Sequence, residues 1–452
     1  MFLPTLVVRS RRVVTPRGTR AAAIHIRNER VIGVLDFDDV PPGCPLDDAT
    51  GAVIMPGVVD THVHAHASGR GDSGFESATR AAAAGGITTL VEMPFPGPAT
   101  TTVAALEAKQ RAAKGTCYAD VGFWGGVVPG NARELAPLFE AGVLGFKCVL
   151  LPCAGDEFPP VSDSDLRIAM PALTRLGATL LAHAELAEPI DNARARQRLE
   201  RRWVDRIPGL SRTSRRYTTY LDGRPKEAEN EAITRLIQLC REHHTRTHVV
   251  HLSSSDALTP LFHARTARLP ITAETCPHYL YFVADEIADG TTSLRCAPPI
   301  RERENREVLW AALANGLIQM VVSDHASEPR DGSCGLPSLQ LSLPVTWTGA
   351  RARGYTLDQL ADWRCRAPSQ LAGLRRKGKI EVGYDADLVV FDPDTEFVVE
   401  SRSLRHRDQL TPYLGRRLRG VVERTYLRGR SIYSRADGLT SPHGTVLSRD
   451  AN

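Results

Sequence analysis

The chain has 452 residues, 42% of them hydrophobic and 24% charged, which is typical of a globular protein large enough for more than one domain. The net charge of +4 is small, and no basic tract interleaved with aromatic residues is present, so we expect no nucleic acid partner. The nine cysteines form no CxxC pair, which argues against a disulfide framework and for a reducing compartment.

Residues 1–54 are predicted to form short β-strands. Hydrophobic alternation between turn signals is found at Thr5–Arg9, Ala22–Arg27 and Arg30–Leu35. Met1–Arg12 holds a short apolar stretch followed by Arg9, Arg11 and Arg12, which is the reverse of the order in a signal peptide. No later apolar run is long enough to span a membrane, so we expect a cytoplasmic protein with no membrane partner.

From Val53 onward, β-branched apolar runs alternate with helical stretches, the pattern of βαβ units around a parallel sheet. Eight such units fit the α/β fold class as a (β/α)₈ TIM-type barrel. A doubly wound open sheet is the alternative, but no glycine-rich dinucleotide fingerprint follows the first strands. The eight runs are Val53–His64, Ile87–Pro94, Asp120–Val128, Val143–Leu151, Ala178–Glu185, Thr247–Ser253, Ile271–His278 and Ile318–His325.

Strands return near the C-terminus, after a helical stretch at Thr356–Leu374. We predict them at Lys379–Val382, Ala386–Asp392, Gly420–Arg428 and Ser431–Tyr433. Both chain ends are therefore expected to meet in a small β-sandwich domain. The predicted limits are 1–54 and 376–452 for the two parts of the sandwich and 55–375 for the barrel.

Histidines stand near the ends of several predicted barrel strands, where the functional face of such a barrel lies. His62 and His64 are two residues apart and so point to one face, a natural metal pair. His183 lies near the end of the fifth run. In the sixth, His248 and His251 are three apart, so only one can enter the site; His251 is nearer the strand end, and His248 is expected to face the helices. Each histidine alone is more often a hydrogen-bonded core or rim residue than a metal ligand, but their coincidence at several strand ends favours metal binding.

Lys147 lies inside the apolar run Val143–Leu151, where a charged amine is costly unless it is paired or neutral. The simple interpretation is a side chain that reaches the strand rim. The functional interpretation is a neutral amine carboxylated by CO₂, whose carbamate oxygens can bridge two cations.

Asp324 ends the eighth run beside His325. A carboxylate at this position can bind metal and also transfer a proton. As a structural alternative, it can cap the helix that follows.

Several segments resemble the amidohydrolase superfamily, in its cyclic amidohydrolase branch. They are Pro56–His64, Gly145–Lys147 and Val321–His325. Within this branch, further segments resemble the allantoinase family; they are Ala81–Pro94, Gly145–Cys148, Gly223–Ile233, Glu274–Tyr279, Cys296–Arg301 and Tyr413–Arg416.

The resemblance implies a site with two divalent cations, Zn or alternatively Fe, Co, Mn or Ni. It implies that His62, His64 and Asp324 bind the first metal and that His183 and His251 bind the second. Lys147, as N6-carboxylysine with CO₂ as its modifying group, would bridge the two. Water activated between the metals would attack a ring amide, and Asp324 would act as general base and then acid.

The implied reaction is hydrolysis of allantoin to allantoate in purine catabolism, with a small cyclic amide as the only predicted partner besides copies of this chain in a homotetramer. His66, Thr275 and Ala297 are the candidate substrate-binding residues. Ala326–Leu339 is shorter than the loop usual in the family. The alternatives are a hydantoinase or dihydropyrimidinase-like enzyme, another cyclic-imide hydrolase, or a non-catalytic structural relative.

Overall fold

The computed structural model describes residues 3–49, 51–65, 74–95, 97–152, 155–204, 216–326 and 335–449, with backbone only for 201–204. Within these residues, no helix has both the length and the apolar character needed to cross a membrane. The seven described cysteines are all free thiols.

The two ends of the chain contribute strands to one sheet, as expected. Strand β16 runs antiparallel to β5, with Leu388 opposite Pro56, and β5 also pairs with β1. The spatial order is β19-β18-β17-β16-β5-β1-β2-β3, and β4 pairs with β1. The strands of this sheet are β1 (Leu6–Thr15), β2 (Gly18–Arg27), β3 (Arg30–Leu35), β4 (Leu46–Asp48), β5 (Val53–Pro56), β16 (Leu388–Val398), β17 (Arg417–Leu427), β18 (Arg430–Ser434) and β19 (Gly438–Leu439).

The central part of the chain forms the barrel. Its strands are parallel in two runs, β14-β13-β12-β11-β10-β9 and β15-β6-β7-β8. We call each of the eight strand positions around the barrel a stave. Strands β8 and β9 together form one stave, and so do β14 and β15. The fold is therefore a (β/α)₈ barrel with a small β-sandwich domain. The barrel strands are β6 (Val58–His64), β7 (Ile87–Glu92), β8 (Asp120–Phe123), β9 (Gly125–Gly126), β10 (Phe146–Val149), β11 (Leu180–His183), β12 (Thr247–Val249), β13 (Ile271–Thr275), β14 (Met320–Val321) and β15 (His325–Ala326).

Helices connect the staves and cover the barrel. Most lie between the predicted barrel strands, as the alternating pattern predicts, but α5, α6, α9 and α11 were not predicted. The helices are α1 (Gly74–Ala84), α2 (Val103–Ala113), α3 (Leu135–Glu140), α4 (Asp163–Leu176), α5 (Ala187–Val204), α6 (Tyr217–Asp222), α7 (Lys226–His243), α8 (Leu258–Thr266), α9 (Pro277–Tyr281), α10 (Arg303–Ala314), α11 (Ser342–Ala352), α12 (Leu357–Ala361) and α13 (Ala367–Leu371).

Several of the strand predictions differ from the structure. The seventh run was predicted to extend to His278, but β13 ends at Thr275 because Pro277 begins helix α9. The predicted strand Lys379–Val382 is absent, and the sheet resumes only at Leu388. The predicted limits of the domains stay a prediction.

Gly57 lies where the sandwich strand β5 passes into the first stave, β6. A Cβ at this position would lie 2.2 Å from the Thr88 hydroxyl oxygen and less than 3 Å from two further atoms of that side chain. Only glycine allows the backbone at this position to approach Thr88 on β7 so closely, so the residue before β6 is sterically constrained.

An apolar cluster fills the barrel below the end of its strands. It includes Val59, Val91, Trp124, Leu181 and Val322, and residues next to α13 close it from below. A second, larger cluster lies between the strands and the helices. The barrel interior is thus packed with apolar side chains below the strand ends.

A buried ion cluster joins the barrel to the sandwich. The Lys377 ammonium lies 2.7 Å from an Asp120 oxygen on β8, 2.7 Å from Asp387 and 3.1 Å from Asp385. Burial alone would raise the pKa of Asp120, but Lys377 and Arg428 outweigh it and hold that pKa below its usual value. The charged form of Asp120 is therefore stabilised by the lysine and by Arg428.

Replacing Lys377 with Met should reduce the free energy of unfolding by about 3–5 kcal/mol, because three carboxylates would lose a buried counter-charge. Urea denaturation measures this loss. The matched control is Lys379→Met, since Lys379 is more exposed and lies 3.7 Å from Glu381, so we expect a change of about 0–1 kcal/mol. Equal urea midpoints for the two variants would contradict this account.

Candidate metal centre

His62 and His64, at the end of β6, are each held by one ring nitrogen. His62 Nδ1 lies 2.6 Å from Glu274 Oε1, and His64 Nδ1 donates to the Phe95 carbonyl oxygen at 2.6 Å. The two ring centroids are 5.6 Å apart, and both side chains are buried. Both rings therefore turn Nε2 towards the barrel axis.

Asp324 meets these two nitrogens from the eighth stave. Its Oδ1 lies 3.2 Å from His62 Nε2 and 3.8 Å from His64 Nε2, and the side chain is fully buried. Asp324 has a φ of 46°, in the left-handed region, between the short strands β14 and β15. The stave is thus interrupted at the residue that enters the site, a form of backbone strain that is common at functional sites.

His183 and His251 form a second pair beside the first. His183 Nδ1 and His251 Nε2 are 2.9 Å apart, and the other nitrogen of His183 lies 2.9 Å from Glu185 Oε2. The ring centroids of His62 and His251 are 5.3 Å apart, so the two pairs are adjacent. The structure therefore brings together histidines from the first, fifth and sixth staves.

Lys147 is buried on β10, with Leu181 as its neighbour on β11. Burial lowers the pKa of His251 well below its usual value, and the neighbouring charges of His183, Lys147 and His62 lower it further. Lys147, on the fourth stave, therefore lies close enough to His251 for its charge to affect the pKa of that imidazole.

The donor set fits a divalent metal centre. Metal-bound histidines characteristically use their second ring nitrogen to contact a carboxylate or a backbone carbonyl, as His62, His64 and His183 do here. One ligand atom from each of His62, His64 and Asp324 lies within 4.8 Å of the others, and all three residues are buried. Imidazole and carboxylate donors in this arrangement suit Zn²⁺ and related ions.

The expected orientation of His248 is wrong. Its ring contacts the Thr272 hydroxyl at 2.7 Å and Glu274 Oε2 at 3.0 Å, and the other oxygen of Glu274 holds His62. The alternation argument failed because β12 ends at Val249 and His251 has a φ of 41°, so the two histidines do not belong to one regular strand. His248 supports the site from below, through Glu274.

Glu274 was not recognised from the sequence. Its carboxylate is fully buried between two histidines, and their hydrogen bonds and charges lower its pKa to about 2 although burial alone would raise it. A carboxylate inside the apolar run of β13 is a signal that could have identified it.

A buried ion pair supports the position of His64. Glu92 accepts a hydrogen bond from the backbone N–H of Ala65 at 2.7 Å and lies 3.6 Å from the Lys109 ammonium. Lys109 also donates to two carbonyls of the turn that leads to Phe95, the residue whose carbonyl holds His64. The end of β6 and the turn before Phe95 are thus held together.

The segment at the start of α7 supports the second histidine pair. Arg224 binds Glu185 through two hydrogen bonds of 3.0 and 2.8 Å, and Glu185 contacts His183. Burial alone would raise the pKa of Glu185, but Arg224 and His183 hold it well below its usual value. Glu229 accepts from the backbone N–H groups of Ser253 and Ser254 at 2.8 Å each, just beyond His251.

The loop that carries Ala297 is fixed by hydroxyl groups. Tyr220 donates to the Cys296 carbonyl at 2.7 Å and Tyr279 to the Pro298 carbonyl at 2.7 Å. Ser253 donates to the Pro299 carbonyl at 2.6 Å. Within the described residues, no group bonds to the backbone N–H or C=O of Ala297, although this residue is fully buried.

Thr275 is already engaged in the structure. Its hydroxyl donates to the Leu252 carbonyl at 2.8 Å, and its own carbonyl accepts from the Val322 N–H at 3.1 Å. His66, the third candidate for substrate binding, lies outside the described residues, as does most of the shortened loop after Ala326.

A barrel that gathers buried histidines, a lysine and an aspartate at its strand ends defines a metal-dependent hydrolase of the barrel type. The model of the amidohydrolase family matches residues 53–432, and the chain belongs to this family.

Within the family, the similarity is to allantoinases. The allantoinase of Streptomyces avermitilis is 44% identical over 98% of this chain and 99% of its own length. The allantoinase of Arabidopsis thaliana is 37% identical over 97% of this chain and 90% of its own length.

Solved structures of related enzymes share the fold. The L-hydantoinase (dihydropyrimidinase) from Arthrobacter aurescens has a TM-score of 0.89 and 30% identity, covering 99% of this chain and 100% of its own. The dihydropyrimidinase from Brevibacillus agri has a TM-score of 0.86 and 26% identity, with 98% of each chain covered.

Replacing Glu185 with Gln should weaken metal binding by roughly 10–100-fold, because His183 loses its anionic partner while the shape of the side chain is kept. Competition with a chromophoric chelator measures the affinity. Glu188→Gln is the control, since Glu188 is exposed on α5. If the two variants held metal equally well, the Glu185 contact would have no orienting role.

Proposed function

We propose that this protein hydrolyses a ring amide bond of allantoin to give allantoate. The observation that carries the proposal is the 44% identity to an allantoinase over almost the full length of both chains. The convergence of candidate ligands at the barrel strand ends supports it.

We propose two metal positions in this site. His62, His64 and Asp324 would hold the first cation, and His183 and His251 the second. Support comes from the two adjacent pairs and from the oxygen atoms that orient three of the four rings. Such cations, when bound, lower the pKa of an attacking water and polarise the amide carbonyl.

Lys147 is proposed as N6-carboxylysine, bridging the two positions. Burial disfavours its ammonium form, and only the neutral amine reacts with CO₂. The carbamate would place a negative charge among four histidines, which would compensate the charge of the cations.

Asp324 is the proposed general base and acid. It would take the proton from the attacking water and return it to the leaving ring nitrogen. Its full burial and its position against His62 Nε2 hold the carboxylate in one place throughout this transfer.

Ala297 is the favoured substrate-reading residue among the described candidates. Its backbone offers one donor and one acceptor, the complement of an amide edge, and the neighbouring backbone groups are fixed by hydroxyls. Thr275 has less to offer, since its hydroxyl and carbonyl are both used internally. Unpaired buried backbone groups discriminate strongly against ligands that leave them unsatisfied.

A hydantoinase or dihydropyrimidinase-like activity is the second candidate, because the solved structures with high similarity carry those names. A non-catalytic relative is disfavoured, since all six candidate ligands are present in this chain. Zn²⁺ as the resident ion, a homotetramer and a cytoplasmic location stay predictions.

A substrate panel tests the proposal directly. With metal-loaded enzyme, kcat/KM should be highest for allantoin among allantoin, hydantoin, dihydrouracil and dihydroorotate. Initial rates of ring opening measure this order. Faster turnover of hydantoin or dihydrouracil would favour the second candidate, and no turnover of any compound would remove both.

Two substitutions separate metal binding from proton transfer. Lys147→Ala should lose both metal and turnover, and the CO₂ mass on Lys147 seen by mass spectrometry of the parent should be absent. Asp324→Asn should keep much of its metal but lose about 10²–10⁴-fold in kcat, the range for a positioned acid–base group. Elemental analysis and kcat measure the two effects. Full metal content in Lys147→Ala, or a parental rate in Asp324→Asn, would contradict the assigned roles.

A further inference from the structure

Cys276 and His278 form a second group of potential ligands beside Asp324. The Cys276 sulfur, a His278 ring nitrogen and an Asp324 oxygen all lie within 4.8 Å of one another, and all three side chains are fully buried. Neither Cys276 nor His278 has a part in the proposed hydrolytic mechanism.

His278 is unusual for a buried histidine. Within the described part of the chain, neither of its ring nitrogens has a hydrogen-bond partner. Its neighbour Tyr279, in contrast, donates from its hydroxyl to the Pro298 carbonyl. Buried polar atoms without a partner are costly, and a bound ion is one of the few explanations for them in native proteins.

The local backbone presents Cys276 and His278 together. Cys276 is the residue before helix α9, Pro277 begins that helix, and His278 lies in its first turn. Both ligands thus come from one short segment with restricted backbone freedom, so binding an ion here requires little ordering of the chain.

We propose that Cys276, His278 and Asp324 form a third metal site, selective for thiophilic divalent cations such as Zn²⁺ in excess or Cd²⁺. Thiolate sulfur with imidazole and carboxylate is a ligand set for these ions, whereas the hydrolytic centre offers only nitrogen and oxygen. On binding, a sulfur–metal bond replaces the S–H bond of Cys276, and the thiol proton is released to solvent.

The shared ligand makes this site inhibitory. A cation held by Cys276 and His278 also engages the Asp324 carboxylate, which then no longer accepts the proton of the attacking water. This consequence rests on the proposed function, in which Asp324 is the general base; the binding of the ion does not.

Cadmium titration tests the site without turnover. Enzyme with a filled hydrolytic centre should bind about one additional Cd²⁺ per chain, with an ultraviolet sulfur-to-cadmium charge-transfer band. Cys276→Ser should lose this band and this equivalent. Cys365→Ser should keep both, since Cys365 is equally buried but bonds to the Pro56 carbonyl on the sandwich side of the barrel. An unchanged band in Cys276→Ser would overturn the proposal.

His278→Gln is the second variant and keeps the thiol, so it gives a result even if Cys276→Ser does not fold. It should show the band at a Cd²⁺ concentration at least tenfold higher; an unchanged titration would exclude His278 as a ligand and overturn the site.

Zinc inhibition tests the consequence separately. The Zn²⁺ concentration that halves the rate should rise at least tenfold in Cys276→Ser, each variant compared with its own uninhibited rate. If the cadmium results hold but inhibition is unchanged, the metal site stands and the role of Asp324 as general base fails.

Discussion

The structure depends on how charge is buried at one end of the barrel. Four imidazoles, a lysine and an aspartate are removed from water at the strand ends, and such groups are stable there only if each has a partner. Glu274 and Glu185 provide anionic partners for His62 and His183, and Arg224 in turn neutralises Glu185. Each buried charged or polar group is thus paired with another one, from the barrel axis outward to the helices.

This arrangement explains the position of several elements around the barrel. The start of α7 and the residues just before it lie near the second histidine pair, where Arg224 binds Glu185 and Glu229 binds the backbone of Ser253 and Ser254. Helix α2 has an equivalent place on the other side, since its Lys109 fixes the turn that orients His64. The orientation of the histidines is therefore built from residues on surrounding helices, while the strands supply the histidines themselves.

The sequence predicted the elements that carry a strong local signal. Alternating strands and helices gave the barrel, and polar side chains at strand ends gave His62, His183 and Asp324, because strand alternation and burial are local properties. The contacts of His248 and Glu274 were not predictable in the same way. They depend on where a strand stops and on which side chains from two staves meet inside the barrel, and neither is visible in one segment alone. Helix α9 was missed because the apolar run continues through Pro277 without a change in composition.

The proposed proton transfer by Asp324 restricts which ions can be bound next to this residue without loss of activity. In its proposed role, Asp324 acts as a base only while its carboxylate is free to accept a proton and release it again. It lies within reach of two groups of potential ligands, one on β6 and one at the start of α9. A third cation would stabilise the unprotonated form and remove the exchange. In its proposed role, the burial that would make Asp324 an effective base would also make it sensitive to any ion that the Cys276 thiol binds, so metal supply would control both the activation and the inhibition of this centre.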